Sequence, residues 1–295
     1  LAELKASQAG VKWVLAAGSE QCKQAAAALG IQPPAAGGPQ SYAIRRAGGA
    51  LAVFGADPVG AMYGGLDVAE AIRLGTIETL KDSAHAPYIE RRGIKFNIPL
   101  DARTPSYSDN SDAAQNNIGE MWSFDFWRAF LDDMARHRYN VLSLWNLHPF
   151  PSMVKVPEYP DVALADVKRT RARLDETYSH TGRDMVRPEL LADMETVRTM
   201  SIEDKIRFWR DVMQHARNRG VDVYVITWNI FVFGAEGKYG ITAEQTNQKT
   251  IDYFRASVRE MVLTYPLLKG MGITAGEQMS ERQDEFSKEK WIGQH

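Results

Sequence analysis

The sequence predicts an α/β protein: a small N-terminal β-α-β-β-α domain followed by a partial (β/α)8 (TIM) barrel with about four strands present. Three observations predict it. From Arg91 onward, short apolar runs alternate with amphipathic helical runs, as in a parallel sheet covered by helices, and the strands read as apolar on both faces. The loops after these runs are elaborate, and none is a glycine-rich phosphate loop, which favours a barrel over a doubly wound nucleotide-binding sheet. An internal echo pairs "MARHRYNVLSLWN" with "HARNRGVDVYVITWN", each leading a basic helix end into an apolar strand that stops on Trp-Asn.

Residues 1–85 form the expected N-terminal domain. "VKWVLAAG" reads as a strand and "SEQCKQAAAALGI" as a helix with Ser19 as N-cap. "SYAIRRAGGALAVFGAD" holds two β-rich runs around Ala-Gly-Gly, a hairpin signal. "DPVGAMYGGLDVAEAIRLG" is a helix with Asp57 as N-cap, Pro58 in the first turn and Gly75 as terminator. "TLKDSAHAPYIE" reads as a linker. The barrel portion is then 86–295, with strands at 93–98, 141–146, 221–229 and 271–275 and a long irregular insertion at about 149–200. Its helices are "SFDFWRAFLDDMARHRYN", "SIEDKIRFWRDVMQHARNRG", which opens on a Ser201/Asp204 capping box, and "TAEQTNQKTIDYFRASVREMVLTYP", with Thr242 and Gln245 as a second capping pair. A barrel needs eight strands, so the sequence reads as a fragment of a longer enzyme, and its first residue, Leu1, leaves the native start and any leader out of view.

Composition narrows the function classes. At 44% hydrophobic and 24% charged, the chain can bury a sizeable core, and a formal charge of -2 gives no electrostatic reason to expect nucleic acid or an anionic membrane as partner. No apolar run approaches a membrane span. The single cysteine, Cys22, excludes an internal disulfide and reads as a semi-buried thiol in an alanine-rich helix. No pair of the six histidines stands at helical metal-ligand spacing, so neither a metal nor another cofactor is expected; His137 and His215 read as helix-end dipole partners. There is no Gly-x-Ser-x-Gly elbow, and Cys22 has no activating base beside it.

The strand ends carry the chemistry, because active sites of such barrels are built there. The first strand delivers Asn97, then Asp101 and Arg103; the second Trp145, Asn146 and His148; the third Trp228 and Asn229; the fourth Thr274, Glu277 and Gln278. Trp faces stack on the apolar faces of sugar rings, and Asn, Gln and Arg hydrogen-bond hydroxyls and carboxylates. Glu277, in "KGMGITAGEQMSE", is a carboxylate at the end of a core-like strand; partial desolvation there would raise its pKa, as a general acid requires. The competing readings are a solvated loop acid or an ion-pair partner for Arg103, and "PLDARTP" with Asp101 also reads as a structural turn. A sugar-phosphate lyase is disfavoured, because no phosphate-binding glycine loop or Schiff-base lysine stands at a strand end; only Lys95 lies within a predicted strand.

"SYAIRRAGGALAVFGADPVGAMYGGLDVAEAIRLG", leading into "RRGIKFNIPLDAR", resembles the N-terminal domain and first barrel strand of two glycosidase groups. These are the α-glucuronidases of glycoside hydrolase family 67 and the β-N-acetylhexosaminidases of family 20, with a shared helix start at Gly55, Asp57, Gly60, Tyr63 and Gly64. The resemblance implies a glycosidase acting on oligosaccharides or polysaccharides, with a periplasmic or secreted address. The family 20 pattern implies an Asp-Glu pair after the fourth strand, where this sequence has Gly276-Glu277. The family 67 pattern implies a lone glutamate as general acid, a role that Glu277 matches. The expectation is therefore an α-glucuronidase-like glycosidase; the alternatives are a hexosaminidase-like enzyme or a catalytically silent carbohydrate-binding barrel.

Overall fold

The computed structural model describes residues 12–35, 37–106, 112–172, 191–228, 231–244 and 246–274. The chain separates into two compact units, Leu1–Arg92 with Met134–Tyr139, and Gly93–Asp133 with Asn140–His295.

In the first unit, strand β1 (Lys12–Ala17) leads to helix α1 (Ser19–Ala28), the hairpin β2 (Tyr42–Ala47) and β3 (Ala50–Gly55), helix α2 (Pro58–Arg73) and a short strand β4 (Ser83–His85). The sheet order is β1-β3-β2-β4, with β1 parallel to β3 and the other pairs antiparallel. Alternate residues of β3 feed two separate cores. Leu51 and Val53 pack with Ile44, Val68, Ala71 and Ile77, whereas Ala52 and Phe54 pack with Ala16 and Ala26. The segment expected as a linker thus contributes β4, an edge strand too short to carry a period. Ser19 is the first helical residue of α1 rather than its cap; that position falls to Gly18, at φ 83°, with no side-chain cap bond.

The glycines of the helix start have a spatial reason. A methyl on Gly55 would stand 2.1 Å from the Ala61 amide nitrogen, and one on Gly60 2.2 Å from the Ser41 carbonyl oxygen. Between them, Asp57 accepts from Gly60 N and from Gln40 N, both at 2.7 Å, so one carboxylate caps α2 and ties down the preceding turn.

The second unit is built on β5 (Gly93–Asn97), β6 (Val141–Trp145), β9 (Asp222–Thr227) and β10 (Leu268–Ile273). These four are all parallel and neighbour one another in chain order, β5-β6-β9-β10. A doubly wound sheet reverses direction at a switch point; no reversal occurs across these four strands. Between β6 and β9 lies a two-stranded antiparallel sheet of β7 (Val167–Thr170) and β8 (Met194–Arg198), so the insertion expected as irregular contains ordered structure. The helices are α3 (Asp112–Met121), α4 (Phe124–Arg136), the one-turn α5 (Phe150–Met153), α6 (Ile202–Asn218) and α7 (Gln248–Thr264). Helix α3 was not foreseen. The Ser201/Asp204 capping box of α6 is formed in both directions. Helix α7 starts later than expected, with Asn247 as cap accepting from Lys249 N at 2.9 Å, while the Thr242 hydroxyl accepts from the Asn247 amide instead; Gln245 lies outside the described residues.

The sheet is not apolar on both faces. Leu142 and Leu144 of β6 and Val223, Val225 and Thr227 of β9 are buried, alternating with half-buried neighbours. On β5, Phe96 packs against Phe126, Trp127 and Phe130 of α4, which identifies the helix-covered side. The opposite side carries Lys95, Ser143, Trp145 and Tyr224 together with Val141 and Ile226, a mixed surface with period two.

Candidate functional site

Parallel strands end together, and here the backbone ladder continues past the strands to keep those ends level. Ile98 N donates to Trp145 O at 2.9 Å, Asn146 N to Ile226 O at 3.1 Å, and Thr274 N to Thr227 O at 2.9 Å. At this edge Trp145 and Trp228 meet, their ring centroids 5.2 Å apart and the planes at 66°. Trp145 is half-buried and Trp228 is 6% exposed. The Trp145 Nε1–H donates to Ser143 Oγ at 2.7 Å, which fixes the indole along its own strand. Lys95 Nζ stands 4.2 Å from the centre of the Trp145 ring, a cation–π contact from the neighbouring strand. Asn97, half-buried, is the register partner of Trp145. The sheet thus brings Lys95, Asn97, Trp145 and Trp228 to one end of one unit. Lys95 was considered only for Schiff-base chemistry; its spacing of two from Asn97 was the available signal that both share a face.

Three other expected site residues turn inward and hold loops. Asn146 is fully buried, and both ends of its amide are occupied by backbone: Nδ2 donates to Ile98 O at 2.8 Å, and Oδ1 accepts from His148 N at 2.9 Å. Asp101, 1% exposed, accepts from Arg103 N at 2.9 Å, Arg103 Nε at 2.7 Å, Arg103 Nη2 at 2.8 Å and Lys168 N at 2.9 Å. The "PLDARTP" turn is therefore stapled to β7 by a carboxylate. Arg103 is spent on Asp101 and on the carbonyls of Ala165 and Asp166, at 2.9 and 3.2 Å.

Beneath this pair lies a residue that sequence reasoning missed. Lys205 of α6 is fully buried and donates to Leu164 O at 2.8 Å and Asp166 O at 2.5 Å, with Nζ 5.3 Å from the Trp122 ring centre. Burial pulls its pKa down to about 8, only partly opposed by the charge of Asp101. The signal was present: Lys205 falls on the buried stripe of Ile202, Trp209, Val212 and Ala216, where a charge needs partners.

His148 is also fully buried. Its Nδ1 lies 2.6 Å from Phe233 O, a contact that only an Nδ1–H can make, so Nε2 is the acceptor for the Tyr253 hydroxyl at 3.0 Å. Burial holds the imidazole down to about 4, the Phe233 carbonyl pulling the other way, so the ring is neutral at pH 7. His215, expected as a helix-dipole partner, has a side-chain partner: its Nε2 is 2.8 Å from Asp132 Oδ1, which also accepts from Arg219 Nε at 2.7 Å. The Cys22 thiol donates to Gly55 O at 3.4 Å, and burial raises its pKa. Glu277, Gln278 and Asn229 lie outside the described residues. Among the described residues no cluster of His, Cys, Asp or Glu could hold a metal ion, and no helix is long and apolar enough to cross a membrane.

No protein-family model matches the chain, and no curated protein matches it. Solved structures do. A GH138 enzyme targeting pectin rhamnogalacturonan II is 21% identical with a TM-score of 0.60, over 96% of this chain and 33% of that one. A glycoside hydrolase family 20 β-N-acetylglucosaminidase is 14% identical, TM-score 0.53, over 95% of this chain and 57% of that one. The family 20 β-N-acetylhexosaminidase from Streptomyces coelicolor A3(2) is 12% identical, TM-score 0.53, over 96% and 58%. At these identities the likeness is one of fold. The chain has the mixed α/β fold, with a parallel sheet, found in these glycoside hydrolases, and it spans between a third and three-fifths of their lengths.

Proposed function

We propose that this chain belongs to a glycoside hydrolase whose catalytic domain is a (β/α)8 barrel, acting on oligosaccharides or polysaccharides. The observation that carries the reading is the Trp145–Trp228 pair at adjacent ends of a chain-ordered parallel sheet. Two indoles meeting at such an edge, with Lys95 and Asn97 beside them, suit a sugar ring: apolar on its faces and hydroxylated around its rim. The fold shared with the pectin-targeting enzyme and the family 20 enzymes adds to this, because those proteins are glycoside hydrolases.

In this proposal Glu277 protonates the glycosidic oxygen, and a second carboxylate activates water or attacks the anomeric carbon. Trp145 and Trp228 form the wall of the site, with Asn97, Asn229 and Gln278 toward the sugar. Asp101, Arg103, Asn146 and His148 act one step back, through the loops that they hold. On substrate class the proposal stays with an α-glucuronidase-like enzyme, because Gly276 stands where the family 20 pattern has its acetamido-orienting aspartate. The test is Glu277→Gln in the full-length chain, assayed on an oligosaccharide with a poor leaving group. A fall in turnover of about 10²-fold or more is expected for loss of a general acid. Wild-type turnover in the variant removes Glu277 from that role. Oligosaccharide binding by the wild type without product formation would replace the enzyme by a carbohydrate-binding barrel.

A further inference from the structure

The loop after β9 presents a second aromatic feature that neither the Trp145–Trp228 pair nor the proposed chemistry uses. Phe231 and Phe233 stack with ring centroids 5.1 Å apart and planes within 14°. Both are half-buried, whereas Val232 between them is 3% exposed and Ala235 fully buried, so Val232 anchors the segment and the two phenyl rings lie together on the other side. Phe231 N donates to Trp228 O at 3.3 Å, so the segment starts one backbone turn from the strand end that carries Trp228.

The segment is held on two sides. Gly234, at φ 79°, lies against the loop after β5, where a methyl on it would be 3.1 Å from Thr104 Cγ2. The carbonyl of Phe233 itself takes the Nδ1–H of His148, whose ring is locked from behind by the Tyr253 hydroxyl and packed edge-on by Phe150 and Phe254, at 5.5 and 5.7 Å. A buried imidazole with both nitrogens committed thus fixes the backbone of a residue whose ring reaches solvent. Ordering two partly exposed aromatic rings yields little for folding alone; stacked as they are, each ring covers part of one face of the other, and the outer face of the stack is left as a pre-organised surface for a flat apolar ligand.

We propose that Phe231 and Phe233 are a second sugar-stacking shelf, beyond the Trp145–Trp228 wall, and that His148 is a positioning residue that holds it. The proposal rests on the glycosidase reading and deepens it. The shelf takes the apolar face of a pyranose in the same oligosaccharide, so the substrate extends over at least two rings. His148 touches no sugar and acts only through the Phe233 carbonyl.

The experiment uses the full-length chain, with xylan-, pectin- and chitin-derived oligosaccharides as probes and reducing-end release and titration calorimetry as readouts. Replacing both Phe231 and Phe233 by Ala is expected to raise KM, or Kd, about tenfold with kcat within about twofold, the size of one lost ring stack. His148→Gln, which no longer places an N–H at the Nδ1 position, is expected to raise KM in the same way and to add nothing to the double Phe variant. His148→Asn, whose amide N–H overlays Nδ1, is expected to restore KM toward the wild type and guards against a variant that merely fails to fold. An unchanged KM in the Phe231/Phe233 variant of an active enzyme overturns the shelf and leaves the glycosidase reading standing. Equal effects of the Asn and Gln variants, or a His148 effect that multiplies with the Phe effect, overturn the positioning role. If the wild type neither binds nor cleaves any probe, the glycosidase reading falls and the shelf with it.

Discussion

Consider replacing Asp101 by asparagine. The carboxylate accepts four hydrogen bonds, three from Arg103 and one from Lys168 N, and it is the anion buried beside the Lys205 ammonium. An amide keeps one acceptor oxygen. If Asn Oδ1 retains the Arg103 N and Nε bonds, its Nδ2 faces Arg103 Nη2 and Lys168 N, donor against donor. The Lys168 N–H is then buried without a partner, which costs roughly 1–3 kcal/mol by itself. Removing one member of a buried ion pair costs about 3–5 kcal/mol, and the two penalties overlap rather than add. A loss of about 4 kcal/mol is therefore expected, or about 8–16 °C in the melting of the second unit at roughly 2–4 °C per kcal/mol. Calorimetry at pH 7, with far-UV circular dichroism to confirm the native fold of the variant, measures it. A variant that melts within about 2 °C of the wild type would show that the buried carboxylate network holds nothing, and the inward reading of Asp101 and Arg103 would be wrong.

Two further predictions concern stability. Lys205 has a folded pKa of about 8 against an ordinary 10.5, so between these pH values the unfolded chain holds a proton that the folded chain has released, and stability rises with pH. Neutral Lys205 keeps two N–H donors for Leu164 O and Asp166 O, so the network survives the change. Urea midpoints at pH 7.5 and 9.5 should therefore shift in favour of the wild type relative to Lys205→Met as pH rises; a constant difference refutes the linkage. In the first unit, Gly55→Ala drives a methyl to 2.1 Å from the Ala61 amide nitrogen, on backbone that cannot rotate away. A cost of about 1–3 kcal/mol or more is expected, read as faster hydrogen exchange of the β2–β3 amides.

The parts of the fold that were legible in the sequence are those with sustained periods or strong caps. The apolar stripe and capping box of α6 marked that helix, and the four strand cores stood out between helices. Strand β4 and helix α3 were missed because one is three residues long and the other is short and carries its large apolar residues, Ile118 and Met121, only in its second half. The pairing of β7 and β8 was hidden because the two strands lie far apart in sequence, so no local turn signal announces it.

The candidate site was legible as a set of residue types and not as a set of partners. Asn146, His148 and Asp101 are polar groups at strand ends, and such groups serve a ligand or the backbone equally well until the carbonyls and amides around them are placed. Here the backbone takes both ends of the Asn146 amide, and backbone and side chains together take His148 and Asp101. Trp145 and Trp228 were paired by the "LWN" and "TWN" echo, and their contact follows from β6 and β9 being neighbours, a matter of strand order that no local pattern states. Lys95 was weighed as a nucleophile and not as a neighbour of Trp145, because that contact depends on β5 and β6 being paired, and no local pattern states the pairing.

The central claim is that a saccharide binds against the indole pair at the strand ends. The most direct measurement is reducing-end release from oligosaccharides by the full-length chain, wild type against Trp145→Ala. The account predicts release by the wild type and a rise in KM of about tenfold or more in the variant, since the substitution removes both the stacking face and the support for Trp228. Identical kinetics in the two proteins, or no release from any saccharide, would contradict it.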